Sequence, residues 1–166
     1  MDMIPESFTH LEVHSHYTLL GSSVNIDDLV HRAVNDGYSS LALTDNNALY
    51  GAVAFATACE KANIKPILGM TVDILPPSGI FPSDVHIPGR LILLADGVMG
   101  YRSLCALSSV IQGQQTSGSQ SAALPWELLK ANHDGLICIS GGRQGWIERF
   151  LRGGNFSSAA RITANL

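Results

Sequence analysis

Four metal-capable side chains alternate near the start of the chain, His10, Glu12, His14 and His16, in the run His10-Leu-Glu-Val-His-Ser-His16. Strand side chains repeat every two residues, so an extended segment places His10, Glu12 and His14 on one face, with His16 beyond. Imidazole nitrogen and carboxylate oxygen both suit zinc or manganese, and such a face is a candidate metal site. A second polar passage, Leu43-Thr-Asp-Asn-Asn47, ends another apolar run and supplies Asp45 and Asn46. A third, Ile64-Lys-Pro-Ile-Leu-Gly69, leads to Thr71 and Asp73. All three lie where strands hand over to loops, the usual place for a site in an α/β protein. Holding such an ion takes several ligands brought together. The plainer reading of Glu12 is a solvated or hydrogen-bonded strand-end residue.

The elements that must position these residues follow from periodicity and punctuation. Phe8 to Val13 reads as a first strand, and Ser15 to Ser23 as a loop. Asn25 is a good N-cap for a helix reaching about Asp36, with Asp27 and Asp28 favouring its dipole and Gly37 ending it. Ser40 to Leu43 reads as a second strand, Leu49 to Ala62 as a helix of small residues, and Ile64 to Ile74 as a third strand kinked at Gly69. Units of this β-α-β-α-β kind argue for a mainly parallel sheet or barrel. An irregular insert follows over 75–89, carrying Pro76, Pro77, Pro82 and Pro88. Leu91 to Ala95 reads as a fourth strand and Tyr101 to Ile111 as a helix, and the Gln/Ser/Gly-rich stretch 112–122 as a mobile loop. Pro125 suits the first position of a helix to Lys130. Leu136 to Ser140 completes five strands, and two short helices, about Trp146 to Leu151 and Ser157 to Asn165, close the chain. The last pattern stops at Leu166 without cap or breaker, giving the expectation of a single domain over 1–166 that is truncated at its C-terminus.

With 166 residues, 46% hydrophobic and 14% charged, the chain can bury one sizeable core. Its net charge of -4 gives no general pull toward nucleic acid or an anionic membrane. Cys59, Cys105 and Cys138 sit in apolar stretches at spacings that match no zinc motif and read as buried free thiols. With no signal core at the N-terminus and no apolar run of membrane-spanning length, a cytoplasmic location is expected.

In this order, Leu43-Thr-Asp45, Leu49-Tyr-Gly-Ala-Val-Ala-Phe55, Ile64 to Gly69, Leu93-Leu-Ala95, Gly100-Tyr-Arg-Ser-Leu104 and Gly135-Leu-Ile-Cys-Ile-Ser-Gly141 resemble the N-terminal half of a PHP (polymerase and histidinol phosphatase) domain. The form it resembles stands at the front of bacterial DNA polymerase III alpha-type (C-family) polymerases. The resemblance implies an α/β fold, a distorted (β/α)7-type barrel of which this chain carries roughly the first five units, with Gly51 and Gly69 allowing close backbone approach.

The resemblance also implies a ligand set, and the residues depart from it. The two histidine ligands fall at Glu12 and His14, and the histidine after Asp45 is replaced by Asn46. Other ligand positions fall at Gly21, Thr71, Arg90 and Gly142, none of which supplies a matching donor. Asp73 shares a face with Thr71 but lies too far along the strand to replace it. For Asp45 the alternatives are a vestigial ligand, a cap on the Leu49 helix, or a hydrogen-bond acceptor that orients His14. The expectation is therefore a catalytically silent structural and docking module of a polymerase in DNA replication. No cofactor is expected, and any ion held would be weakly bound zinc or manganese. The implied partners are the remainder of the polymerase chain, DNA through the full polymerase, and a proofreading exonuclease subunit. The competing expectation is a phosphoesterase or 3′-5′ exonuclease with a rearranged site built from Glu12, His14, Asp45 and Asp73.

Overall fold

The computed structural model describes residues 8–77, 87–116 and 123–166, with side chains omitted at 115 and 116. Its described elements run α1 (Ile26–Asn35), β1 (Ser40–Leu43), α2 (Ala52–Lys61), β2 (Lys65–Ile74), β3 (Gly89–Ala95), α3 (Gly97–Thr116), α4 (Trp126–Ala131), β4 (Leu136–Ile139), a short 3-10 turn (Gly142–Gln144), α5 (Trp146–Arg152) and α6 (Phe156–Thr163). Helix α1 starts where its sequence says it should. Asn25 accepts from the Asp28 N–H at 2.8 Å, and Ile26, Val30 and Ala33 form the buried stripe.

The strands form one sheet in the order β1-β2-β3-β4. β1 pairs parallel to the first half of β2, Ser40 to Leu43 against Lys65 to Leu68. From Gly69 onward β2 pairs antiparallel with β3, and β3 pairs antiparallel with β4. The mainly parallel sheet expected from the sequence is therefore corrected to a mixed one. A crossover helix (α2) joins β1 to β2 and makes that pair parallel. No helix is described between β2 and β3, and the chain returns alongside itself. Gly69 marks the change of partner. A Cβ there would lie 2.6 Å from the Leu93 carbonyl oxygen, so only glycine admits the neighbouring backbone.

Two apolar clusters flank this point. One gathers Ile26, Val30, Leu41, Leu43, Phe55, Cys59 and Ile64 beneath α1 and α2. The other packs Met70, Val72, Ile74, Leu91 and Leu93 against Leu104, Leu107 and Ile111 of α3, with Trp126, Trp146 and Ile162. Only Cys59 of the three thiols is buried; Cys105 is partly exposed and Cys138 exposed on β4, which corrects the expectation of three buried cysteines.

Three further expectations change. The segment from Phe8 to Val13 is not a regular strand. It lies along β1, where Ala42 N–H donates to the His10 carbonyl and Thr44 N–H to that of Val13. Two residues of β1 thus span three of the incoming segment, a bulge-like mismatch that prevents a regular ladder. Residues 112–116, expected in a loop, continue α3. Gln112 holds that turn in place by bonding the Asn47 carbonyl and the Tyr50 hydroxyl, each at 2.9 Å. The remainder of that loop, 117–122, and residues 78–86 of the proline-rich insert lie outside the described residues.

Candidate functional site

Asp45, at the C-terminal end of β1, is 2% exposed and anchors the polar end of the sheet. Its Oδ1 accepts from the Ser15 N–H and the Thr18 hydroxyl, and its Oδ2 from the Ser15 hydroxyl, all at 2.7 Å. These short charge-assisted bonds fold the segment after Val13 back over β1. Neither role offered for Asp45 as a helix cap or as a direct partner of His14 is what the structure shows; its three donors come from Ser15 and Thr18.

The Thr18 hydroxyl passes this order on. Its one proton goes to Asp45, so its oxygen can only accept; it takes the Asn46 N–H at 3.1 Å and faces His14 Nδ1 at 3.4 Å. On its other side, His14 Nε2 lies 3.7 Å from Glu12 Oε1. Glu12 and His14 therefore meet, as their spacing implies. His10 does not join them: the bulge turns it outward, where Nε2 meets the Tyr38 hydroxyl at 3.1 Å and its ring packs edge-on against Phe8. His16 is exposed and lies against Tyr17.

Beside this corner Asn46 and Thr71 form a parallel bridge between β1's extension and β2. Asn47 N–H donates to the Thr71 carbonyl, and Thr71 N–H to that of Asp45. Asn46 Oδ1 and Thr71 Oγ1 are both buried and have no hydrogen-bond partner among the described residues. Further along the same strand Asp73 pairs with Arg90 across the β2–β3 ladder, Nε to Oδ1 at 3.2 Å. Gly21 sits under Thr18, where a Cβ would come within 2.7 Å of the Thr18 methyl; Gly142 lies at φ +52 with open space around it.

Among the described residues, these side chains do not fit a multinuclear metal site. No group of three or more His, Cys, Asp and Glu converges among the described residues. The Asp45 oxygens are taken, Asp73 has a guanidinium partner, and the remaining buried donors at Asn46 and Thr71 are neutral oxygens, poor ligands for zinc. What survives is a single imidazole beside a single carboxylate. The sequence missed Ser15 and Thr18, whose small hydroxyl side chains match no ligand pattern; the hint was Ser/Thr flanking a histidine in a turn-rich segment. An open groove of about 790 Å3 lies elsewhere, at the start of β2 beside Asn63, Lys65 and the α2 face carrying Val53 and Thr57.

The PHP domain family model matches residues 10–166, and the chain belongs to the PHP domain family. Among its relatives are proteins named DNA polymerase III subunit alpha. That of Bacillus subtilis (strain 168) is 40% identical over 158 residues, 95% of this chain and 13% of the relative. The Buchnera aphidicola protein is 35% identical over 92% of this chain and 13% of its own length, and the Treponema pallidum protein 39% identical over 81% and 12%. This chain thus spans about an eighth of the length of the curated relatives it matches. Among solved structures, a putative metal-dependent phosphoesterase from Bifidobacterium adolescentis aligns with a TM-score of 0.47 at 15% identity, covering 94% of this chain and 53% of that one. An amidohydrolase from Chromobacterium violaceum aligns at 0.48 and 21% identity, covering 68% and 36%.

Proposed function

We propose that this chain is part of the PHP domain of a DNA polymerase III alpha-type subunit, acting in DNA replication as a metal-free structural and docking module. The polymerase relatives support the first half of that reading. The second half is carried by one observation: the Asp45 carboxylate is consumed by Ser15 and Thr18, while Asn46 and Thr71, where the family places ligands, offer only unpartnered neutral oxygens. With Gly21, Arg90 and Gly142 at three further ligand positions, the domain keeps its framework and lacks the donors for hydrolysis. In this reading the chain is the first part of a distorted barrel, it works in the cytoplasm, and its partners are the rest of the polymerase chain, DNA held by that chain, and a proofreading exonuclease subunit. Among the described residues no helix is long and apolar enough to cross a membrane.

The rearranged phosphoesterase has one observation in its favour, the meeting of Glu12 and His14. Its other two residues are engaged elsewhere, Asp45 with the hydroxyls and Asp73 with Arg90. Metal analysis separates the two readings. After chelation and dialysis against zinc or manganese, the protein is expected to keep well under one tightly bound ion per chain. Stoichiometric metal together with hydrolysis of a phosphate ester would replace the silent module with the enzyme.

A further inference from the structure

The corner beside His14 holds two side-chain oxygens that face each other's neighbourhood without bonding. Asn46 and Thr71 are partners in a parallel bridge. In that bridge Asn47 N–H donates to the Thr71 carbonyl at 2.8 Å, and Thr71 N–H to that of Asp45 at 3.2 Å. Bridge partners project their side chains to the same side of a sheet, so these two lie next to each other. Thr71 is 1% exposed, and both Asn46 Oδ1 and Thr71 Oγ1 are sealed from bulk water. Neither has a hydrogen-bond partner among the described residues.

Leaving a buried polar atom unpaired is costly, and folded proteins leave few. Two such atoms side by side point to one shared partner, and their chemistry limits what it is. Asn46 Oδ1 only accepts, whereas the Thr71 hydroxyl accepts or donates its one proton. An anion has no proton to offer Asn46. A hard cation takes six or more oxygens, and the Asp45 and Thr18 oxygens beside the bridge are already engaged. Water meets both demands, donating to the amide oxygen and sharing a bond with the hydroxyl.

We infer that Asn46 Oδ1 and Thr71 Oγ1 hold one fixed water, at a corner where the PHP resemblance places metal ligands. The inference rests on the metal-free reading, since an ion would claim the same oxygens. The water extends a run of bonds already present. Asp45 takes the Thr18 hydroxyl, Thr18 Oγ1 takes the Asn46 N–H, and the water carries that order from Asn46 to Thr71 on β2.

Crystallography at a resolution that shows ordered water tests this directly. The expected result is one peak about 2.7–3.2 Å from both oxygens. No peak, an Asn46 amide turned so that its nitrogen donates to Thr71, or a peak at the roughly 2.0–2.6 Å of a metal bond would overturn the inference. Thr71→Val gives a second measurement, because valine keeps the shape and removes the hydroxyl. A hydroxyl with no partner can be lost with an unchanged or raised melting temperature, and that outcome also overturns the water. With the water present, a fall of about 2–4 °C is expected. Combined with Asn46→Ala, the fall should be smaller than the sum of the two single falls, because both changes remove bonds to the same molecule; additive falls would overturn the shared site. Metal analysis separates this inference from the reading beneath it. An ion at the corner sinks both, whereas metal-free protein without the peak sinks the water alone.

Discussion

Ser15 and Asp45 are joined twice, the serine N–H to one carboxylate oxygen and its hydroxyl to the other, each at 2.7 Å. The two residues lie 30 positions apart in the chain, so this pair closes the N-terminal segment onto β1 and fixes the corner where His14, Thr18 and Asn46 meet. An aspartate in this place therefore acts through hydrogen bonds within the fold.

Replacing Asp45 should accordingly damage stability. Asp45→Ala leaves the Ser15 and Thr18 donors unsatisfied in a buried site and is expected to cost about 2–4 kcal/mol, measured by urea unfolding. A change below about 0.5 kcal/mol, the range of ordinary surface substitutions, would mean the carboxylate is free for another task.

Restoring one ligand should not restore a site. Asn46→His adds an imidazole near His14 and Glu12, but Thr71 stays a hydroxyl and Asp45 stays occupied. No phosphatase turnover above the unmodified protein is expected in an assay with added zinc or manganese. Appreciable activity would show that the remaining donors are sufficient.

The change of partner along β2 predicts that Gly69 cannot carry a side chain. In Gly69→Ala the new methyl meets a backbone oxygen of β3, which cannot swing aside as a side chain could. A loss of about 1–3 kcal/mol is expected from forced overpacking. Calorimetry showing an unchanged melting temperature would remove the argument for close approach at this residue.

Burial pushes the Cys59 thiol up to about 11. In the unfolded chain a thiol ionises near its ordinary value of about 8.5. Between those values the unfolded state has lost a proton that the folded state keeps, so stability is full below the lower value and falls as pH rises toward the upper one. Comparing unfolding free energies at pH 8 and pH 10, Cys59→Ala should show a shallower alkaline loss than the unmodified protein. Equal slopes would show that Cys59 does not contribute to it.

Much of the scaffold was written locally. Asn25 as a cap, Gly37 at a positive φ after α1, the small-residue face of α2 and the apolar runs of β2, β3 and β4 all depend on neighbours a few positions away, and these elements form close to where their patterns place them. The meeting of Glu12 with His14 was also legible, since two residues separated by one along an extended segment project together.

Tertiary structure decided the rest. Period-two spacing put His10 on the same face as Glu12, yet the mismatch against β1 turned it to Tyr38, because register is a property of two paired segments. Strand direction past Gly69 depended on how β2 returns to β3, and α3 outran its own pattern because Gln112 found Asn47 and Tyr50 far away in the chain. The sequence by itself determined which candidate donors these residues carry. Only the folded chain decided that the buried carboxylate among them, Asp45, is spent on Ser15 and Thr18, since a hydrogen bond across 30 residues leaves no trace in local spacing.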